Sequence, residues 1–319
     1  MAAMPSHRSP TSAELLHELM PCVERSLDRH IGAAAERFPH EYVPYAQGRD
    51  YVEEPWRETD SGLPDPARTA LEVNLLTEDN LPYYHLGIWQ TFGNDEAWGE
   101  WVRRWTAEEG RHSILLRDYL SVTRGIDPAR LERGRMDMVV RGWYPGFAKE
   151  GPLDGVIFLT LQELATRISH RNTGETTRDE RLRNVCGRIA TDENLHYVFY
   201  RDVAREAIQV DPSAAILAMH RQIIGFKMPG SEMPDFRAKA KTIARSGIYN
   251  LRIHLDQVLT PVLDKQWRIW DASGLSDEAA RAREDIANHL ERLARVAARL
   301  DEPPGPVTGD LTDDPVGVP

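Results

Sequence analysis

Two copies of one short pattern carry the residues that could do chemistry in this chain. Each copy begins with a single glutamate, and a Glu-x-x-His unit follows 31 residues after the first and 30 residues after the second. In a helix the Glu and His of such a unit project from one face. Two copies facing each other would gather four carboxylates and two imidazoles, the ligand set of paired iron or manganese ions in helical bundles. The six candidate metal ligands are Glu78, Glu109, His112, Glu163, Glu193 and His196.

The residues around these candidates indicate a buried site. Glu163 follows an apolar run, and Glu109 shares its helical stripe with Trp105. An ionised carboxylate on a core-facing stripe costs roughly several kcal/mol unless it is paired or binds a metal. Because the same stripes carry no Lys or Arg, four converging carboxylates would repel one another without a cation between them. A third Glu-x-x-His unit, Glu14 to His17, has no matching single glutamate, so we interpret it as part of a solvated helix face.

Helices must position these residues, and helical patterns dominate the rest of the chain. Strand-type alternation is nearly absent. The sequence Thr11-x-x-Glu14 resembles a capping box and predicts the first helix. Asp65-Pro66 is expected to open the helix of Glu78, with the aspartate as its N-cap, and Pro82 should kink that helix. A further helical pattern covers roughly 255–272.

Length and composition indicate one domain. The chain has 319 residues, of which 41% are hydrophobic, enough for a sizeable core. We predict a single all-α domain over residues 11–300, a ferritin-like four-helix bundle with additional surrounding helices. Residues 1–10 are expected to form a disordered N-terminus. Residues 301–319 are rich in Pro, Gly and Asp and are expected to form a disordered tail.

Charge, cysteine content and hydropathy narrow the class of protein. A formal net charge of −11 argues against a general nucleic-acid binder. The two cysteines, Cys22 and Cys186, are far apart and fit a reducing compartment better than a disulfide framework. No apolar run approaches the length of a membrane span, and the start lacks the apolar segment of a signal peptide. We therefore expect a soluble, cytoplasmic protein.

Four stretches around the candidate ligands resemble the soluble acyl-[acyl-carrier-protein] desaturases, most closely their actinobacterial branch. The resemblance extends from about Leu15 to Leu300. One position departs from the family, which usually has Glu-Glu-Asn-Arg-His where this chain has Gly110 in place of the Asn. A helical Gly costs about 1 kcal/mol, but position 110 should point away from the metals, so no ligand is lost. The four stretches are Thr77–Pro82, Trp105–His112, Gln162–His170 and Asp192–His196.

This resemblance implies a non-haem di-iron enzyme that inserts a cis double bond into a saturated acyl chain carried on acyl carrier protein. Reduced ferredoxin would supply the electrons, and O2 would be reduced to water. The first three of the six ligands would serve one iron ion (Fe2+) and the last three the other, with Glu109 and Glu193 bridging. Carboxylates suit this task because they are hard oxygen donors. A homodimer is also implied.

Other residues acquire candidate roles from the same resemblance. Asp192 matches a family acid that pairs with the counterpart of His112. Glu108 is a second candidate, because ligand histidines usually donate their other N–H to a carboxylate. Thr166 matches a family hydroxyl near the oxygen-binding face; the alternative is a threonine bonded to its own helix backbone. Thr166 and Asp192 are our candidate catalytic residues. Trp56 resembles a tryptophan suspected of passing electrons inward, with packing alone as the alternative.

The expected partners require a basic docking patch. Acyl carrier protein and ferredoxin are both acidic, and so is this chain, so docking depends on local rather than net charge. Basic runs are usually solvated helix faces, and this is the alternative for each candidate patch. The candidates are Arg167 with Arg171, Arg178–Arg188, Arg221 with Lys227, and Arg237–Arg245.

Other functions share the ligand set. One alternative is a di-iron oxygenase acting on a carrier-bound substrate. A radical-generating reductase subunit needs a tyrosine one turn after the first ligand histidine, where this chain has Leu116. A non-enzymatic iron-binding or ferroxidase protein is the alternative from another class. Such chains need only about half this length and lack the apolar channel that an acyl chain requires.

Overall fold

A computed structural model describes residues 10–227, 230–231 and 233–301 of the chain. These residues form helices and turns and no β-strand, so the all-α prediction is confirmed. Apart from Pro10 and Asp301, the predicted disordered ends, 1–10 and 301–319, lie outside the described residues. In chain order the α-helices are α1 (Ser12–Ala33), α2 (Asp65–Glu78), α3 (Leu81–Phe92), α4 (Glu96–Val122), α5 (Pro128–Arg141), α6 (Phe147–Glu150), α7 (Pro152–Glu175), α8 (Glu180–Val210), α9 (Pro212–Ile224), α10 (Phe236–Arg245), α11 (Leu251–Ile253) and α12 (Asp277–Asp301).

Four of these helices, α2, α4, α7 and α8, form the central bundle that carries the candidate ligands. In it α7 packs against α8, and α4 packs against α2 and α8. The surrounding helices cover its faces: α1 lies on α8, α9 on α7, α10 on α2, and α12 on α9. This is the predicted four-helix bundle with additional surrounding helices. Among the described helices, none combines the length and the apolar character needed to cross a bilayer.

Two of the predicted helix starts have different outcomes. The capping box of α1 is present, since the Glu14 amide donates to Thr11 Oγ1 over 3.3 Å and the Thr11 amide donates to Glu14 Oε2 over 2.7 Å. The prediction that Asp65 is an N-cap is wrong. Asp65 is the first residue of α2, and its carboxylate accepts from Arg68 Nη2 over 3.1 Å instead of from the backbone.

The helix is interrupted between α2 and α3, where the sequence predicted only a kink at Pro82. Pro82 is the second residue of α3, a position where no backbone N–H is needed, so the proline starts a new helix instead of bending the old one. The residues of the break are fixed by side-chain contacts. Arg135 holds Asp79 with bonds of 2.6 and 3.0 Å, and the buried Asn80 amide exchanges two bonds of 2.8 Å with the Trp143 backbone. Glu78, which ends α2, is positioned by this anchored break.

The helix predicted over roughly 255–272 is only partly correct. After the single turn of α11, His254–Leu259 and Val262–Gln266 are π-helical, and Ile269–Asp271 is a 3₁₀ turn. Between the two π-helical segments stands Pro261, which lacks a backbone N–H and cannot continue a regular ladder of i to i+4 bonds. The amide of Trp267 accordingly reaches back five residues to the Val262 carbonyl, over 2.9 Å.

A stripe of tryptophans fixes the orientation of α4. Trp98, Trp101 and Trp105 follow one another at helical spacing, and each is at most 2% exposed. Trp101 stacks on Phe199 of α8, with ring centroids 3.6 Å apart. Because the stripe continues in steps of three to four residues to Glu109, burial of the tryptophans turns that glutamate into the bundle interior.

Candidate metal centre

The structure brings the six predicted ligands together at the centre of the bundle, and all six are buried. They divide into two groups, and within each group the ligand atoms lie within 4.8 Å of one another. Glu109 and Glu193 belong to both groups. The other members are Glu78 and His112 in one group and Glu163 and His196 in the other. Two neighbouring cation sites that share two carboxylates follow from this arrangement.

Each histidine points one ring nitrogen at the carboxylates. His112 Nδ1 lies 3.4 Å from Glu109 Oε2, 3.7 Å from Glu193 Oε1 and 3.9 Å from Glu78 Oε2. His196 Nδ1 lies 2.8 Å from Glu109 Oε1 and 3.6 Å from Glu163 Oε2. The two Nδ1 atoms therefore face the same group of oxygens from opposite ends.

Electrostatics shows what this convergence costs without a metal. Burial raises the pKa of Glu78 and of Glu193 well above the ordinary glutamate range, and the neighbouring Glu109 carboxylate raises both further. Burial also opposes ionisation of Glu109, but the two histidines beside its carboxylate outweigh burial and lower the pKa of Glu109. The pKa of His196 is raised, because its carboxylate acceptors outweigh the effect of burial. These raised pKa values favour protons at the positions that divalent cations would take.

The residues fit a pair of metal ions, because several buried polar atoms that face the centre have no hydrogen-bond partner in the protein. Buried polar groups in proteins are nearly always hydrogen-bonded. Here five buried atoms of the cluster lack a hydrogen bond of acceptable geometry, and all belong to the predicted ligands. They are Glu109 Oε1, His112 Nδ1, Glu163 Oε2, Glu193 Oε2 and His196 Nδ1. Oxygen and imidazole nitrogen donors in this combination suit iron or manganese.

Two outer carboxylates hold the far side of the histidine rings. Asp192 Oδ2 lies 3.4 Å from His112 Nε2, and Glu108 Oε2 lies 2.9 Å from His196 Nε2. Each acid also pairs with an arginine one turn before it in the same helix, Arg188 for Asp192 and Arg104 for Glu108. The acid that precedes each ligand glutamate therefore lies against the ligand histidine of the other Glu-x-x-His unit.

Two buried histidines at the site were missed by the sequence reasoning. His30 of α1 places Nε2 2.9 Å from Glu108 Oε2, and His170 of α7 places Nε2 3.6 Å from Glu78 Oε1. Burial lowers the pKa of His170 to about 3. A signal existed for both residues. His30 continues the buried stripe of α1 after Leu27, and His170 lies seven residues, or two turns, after Glu163 on the same face of α7.

Trp105 and Thr166 contact the Glu163 side of the site in different ways. Trp105 Nε1 donates to Glu163 Oε1 over 3.0 Å, which leaves the second oxygen of that carboxylate facing the centre. The Thr166 hydroxyl donates to the carbonyls of Gln162 and Glu163, at 3.1 and 3.0 Å. Thr166 also lines the cavity described below. Its catalytic role stays a prediction.

The structure does not bring Trp56 to the centre. Its indole donates to the Arg124 carbonyl over 3.0 Å. Arg124 lies 15 residues beyond Glu109, which is about 20 Å along a helix. At Gly110, by contrast, an added Cβ would meet only Leu81 Cδ2, at 3.6 Å, so the glycine faces α3 and not the cluster.

A cavity of about 120 Å³ borders the cluster on the side of α2 and α7. Glu78, Glu109 and Glu193 form its inner end, and aromatic and aliphatic side chains form much of its wall. Helix α10 closes the outer side with Phe236, Ala240 and Ile243. The site thus consists of two groups of candidate ligands that share two carboxylates, beside a partly apolar cavity.

Comparison with known proteins gives concordant matches. A family model described as "Fatty acid desaturase" matches residues 11–305. DesA1 of Mycobacterium tuberculosis, provisionally named an acyl-[acyl-carrier-protein] desaturase, is 46% identical over 292 residues, covering 89% of this chain and 86% of DesA1. Stearoyl-[acyl-carrier-protein] 9-desaturase 6 of Arabidopsis thaliana is 31% identical over 288 residues, covering 84% and 72%. The X-ray structure of DesA2 from M. tuberculosis matches with a TM-score of 0.68 and 26% identity, covering 81% of this chain and 96% of that one.

Proposed function

The chain belongs to the fatty acid desaturase family and is an acyl-[acyl-carrier-protein] desaturase, and on this premise we propose that it uses two iron ions, O2 and reduced ferredoxin to insert a cis double bond into a saturated acyl chain. In this reaction one –CH2–CH2– unit, one O2, two electrons and two protons give –CH=CH– and two waters. The acyl group would be presented on acyl carrier protein, and ferredoxin would deliver the electrons.

The observation that supports the proposal is the set of buried ligand atoms without partners. Four carboxylates and two imidazoles meet where the polar atoms that face the centre have no hydrogen bond. Leaving such atoms unpaired in a core is costly, so their convergence is explained best by bound cations. Glu109 and Glu193 would contribute to both cation sites, because both belong to each group.

The residues of the chain would divide the work as follows. When bound, the iron pair supplies the oxidising chemistry that removes hydrogen from unactivated methylenes, which no protein side chain can do. Asp192 and Glu108 would hold the Nε2 atoms of His112 and His196, so that each ring keeps its Nδ1 lone pair on the metal side. Trp105 would fix the orientation of Glu163 through its indole N–H.

The cavity would position the substrate. Its apolar and aromatic wall would hold a saturated chain beside the carboxylate cluster and exclude water from it. Thr166 projects from α7 into this space and is our candidate for a residue that contacts the reacting groups, while its helix carbonyls hold the hydroxyl in the resting protein.

The test is direct conversion with defined components. Iron-loaded protein, reduced ferredoxin, O2 and a series of saturated acyl groups on acyl carrier protein should give a monounsaturated product, identified by mass spectrometry. A hydroxylated product would instead identify an oxygenase. Uptake of many iron ions without any alkene would identify an iron-storage protein and refute the proposal.

Matched substitutions test the ligand assignment. Glu163→Gln and His196→Gln should lower bound iron below two ions per chain and abolish turnover, because each removes a metal donor. Glu18→Gln and His17→Gln make the same changes on exposed positions of α1 and should preserve both. A fully active variant at Glu163 or His196 would show that the assignment is wrong.

We also propose a cytoplasmic location and a homodimer. The two cysteines, Cys22 and Cys186, are free and buried, which suits a reducing compartment. The homodimer follows from the resemblance to the desaturases, and light scattering on the purified protein tests it. A monomer at micromolar concentration would contradict it.

A further inference from the structure

Helix α10 has two faces with different properties. Phe236, Ala240 and Ile243 lie on its inner face and line the cavity beside the candidate metal centre. On the opposite face Arg237, Lys241 and Arg245 recur every four residues and are exposed. Residues at this spacing form one row along a helix. The helix that closes the cavity thus presents a row of three cations to solvent.

This row carries uncompensated charge. Among the described residues, none of the three side chains has an ion pair or a hydrogen bond, although the chain has a net charge of −11 and acidic groups are abundant. The fourth cation of the helix, Lys239, behaves differently, since its Nζ lies 3.2 Å from Oε1 of the buried Glu72 on α2. Lys239 therefore anchors α10. The outer row, Arg237, Lys241 and Arg245, remains accessible to a binding partner.

The other candidate basic patches are less suitable for the acyl carrier. Arg221 is bound to Asp154 by bonds of 3.0 and 2.7 Å, and Arg188 is bound to Asp192, so both charges are neutralised within the chain. A groove of about 610 Å³ beside Arg188 contains further arginines, but it shares no lining residue with the cavity beside the carboxylates. Arg167 and Arg171 lie on α7, which also lines the cavity, but Arg167 is half-buried and Arg171 donates to Gln257 and Asn172. Of the candidate patches on helices that line the cavity, the row on α10 is therefore the one whose cations are all exposed and have no partner among the described residues.

We propose that the outer row of α10, Arg237, Lys241 and Arg245, is the docking surface for acyl carrier protein. This inference rests on the proposed function, since it assumes that the acyl chain in the cavity arrives on an acidic carrier. Exposed cations steer and orient an acidic partner through the local field. Docking on α10 brings the base of the carrier's phosphopantetheine arm to the helix whose inner face borders the cavity. The arm would then enter beside the cavity that borders the carboxylate cluster.

Charge reversal tests this surface. The triple variant Arg237→Glu, Lys241→Glu, Arg245→Glu, in the iron-loaded full chain, should bind stearoyl-loaded acyl carrier protein roughly tenfold or more weakly than the wild type, since each exposed ion pair changes affinity by roughly 1.5- to 5-fold. Fluorescence anisotropy of a labelled carrier gives Kd. The KM for the carrier should rise in parallel, while turnover at saturating carrier is kept. Wild-type binding should weaken with added salt, and binding by the variant should depend less on salt.

A matched control separates docking from net charge. Arg281→Glu, Arg292→Glu and Arg299→Glu reverse three exposed cations on α12 and should leave Kd within about twofold of the wild type. Should the reversed α10 fail to fold or to retain iron, the neutral set Arg237→Gln, Lys241→Gln, Arg245→Gln decides, because it removes the charges without creating repulsion. It should weaken binding less than the reversal does.

Two results would overturn the inference. The first is an α10 variant that folds, keeps its iron and binds the carrier as tightly as the α12 control. The second is an α10 variant whose KM rises for ferredoxin and not for the carrier, which would assign the row to the electron donor. Failure of the proposed function is a different result, because the wild type itself would then form no alkene.

Discussion

The stability of the metal-free protein should fall as pH rises from roughly 7 to 8.5. Glu78 and Glu193 have raised pKa values in the folded chain, so they keep protons that the unfolded chain releases above about pH 4.5. His196, also raised, keeps a proton that the unfolded chain releases above about pH 6.5. All three groups therefore stabilise the fold at low pH, and this stabilisation is lost as pH rises towards their folded pKa values.

Two buried histidines have the opposite effect on the pH dependence of stability, but they act only below about pH 7. Burial lowers the pKa of His170 to about 3 and that of His254 to about 4 in the folded chain. Below about pH 6.5 both histidines are therefore protonated in the unfolded chain but stay neutral in the folded chain. Their contribution makes stability rise with pH, and it ends near pH 7. Above that value a raised group that still keeps its proton in the folded chain contributes a slope of up to about 1.4 kcal/mol per pH unit.

Urea unfolding of chelator-treated protein at several pH values measures this slope. Glu193→Gln should reduce it by up to about 1.4 kcal/mol per pH unit, whereas the exposed Glu18→Gln should leave it unchanged. Iron-loaded protein should show the opposite trend, because metal binding displaces protons and tightens as pH rises. A metal-free protein whose stability is flat or increases between pH 7 and 8.5 would refute the account of these buried groups.

Three further substitutions have defined outcomes. Gly110→Ala should raise the free energy of unfolding by about 1 kcal/mol without changing iron content, since the added Cβ meets only Leu81 at ordinary contact distance; a loss of stability in urea titration would contradict this. His30→Leu, which removes one partner of Glu108, should weaken iron binding roughly 10- to 100-fold in competition with a chelator; unchanged affinity would show that His30 only fills space. Trp56→Phe should lose about 1 kcal/mol of stability through its bond to a backbone carbonyl but keep ferredoxin-dependent turnover; a large fall in the rate of reduction would restore its candidate role in electron transfer.

The convergence of the six acidic and histidine side chains could be predicted because the pattern is local. Glu109 and His112 are one turn apart, so a single helix places them on the same face whatever the rest of the fold does. The repeated interval of about 30 residues adds the helix-turn-helix needed to oppose the two units. The all-α class followed from the same periodicity.

What could not be predicted depends on contacts between elements distant in sequence. His30 meets Glu108 across 78 residues, and an isolated histidine has no spacing that indicates a partner. The break at Asp79 and Asn80 is fixed by α5 and by Trp143, so Pro82 alone predicted a kink and not two helices. The π-helical segments after α11 bury residues at a spacing of four, as an ordinary helix also can, so the apolar pattern did not distinguish the two.

The break between α2 and α3 makes one donor mechanically unlike the other five. The other five candidate ligands lie in the interiors of long helices, where hydrogen bonds on both sides fix the backbone. They are Glu109, His112, Glu163, Glu193 and His196. Glu78 is the last residue of its helix, and its carboxylate borders the cavity. It is followed by Asp79 and Asn80, which are held by hydrogen bonds to Arg135 and Trp143. We therefore expect Glu78 to be the candidate ligand whose backbone adjusts most readily when cations or substrate bind beside it.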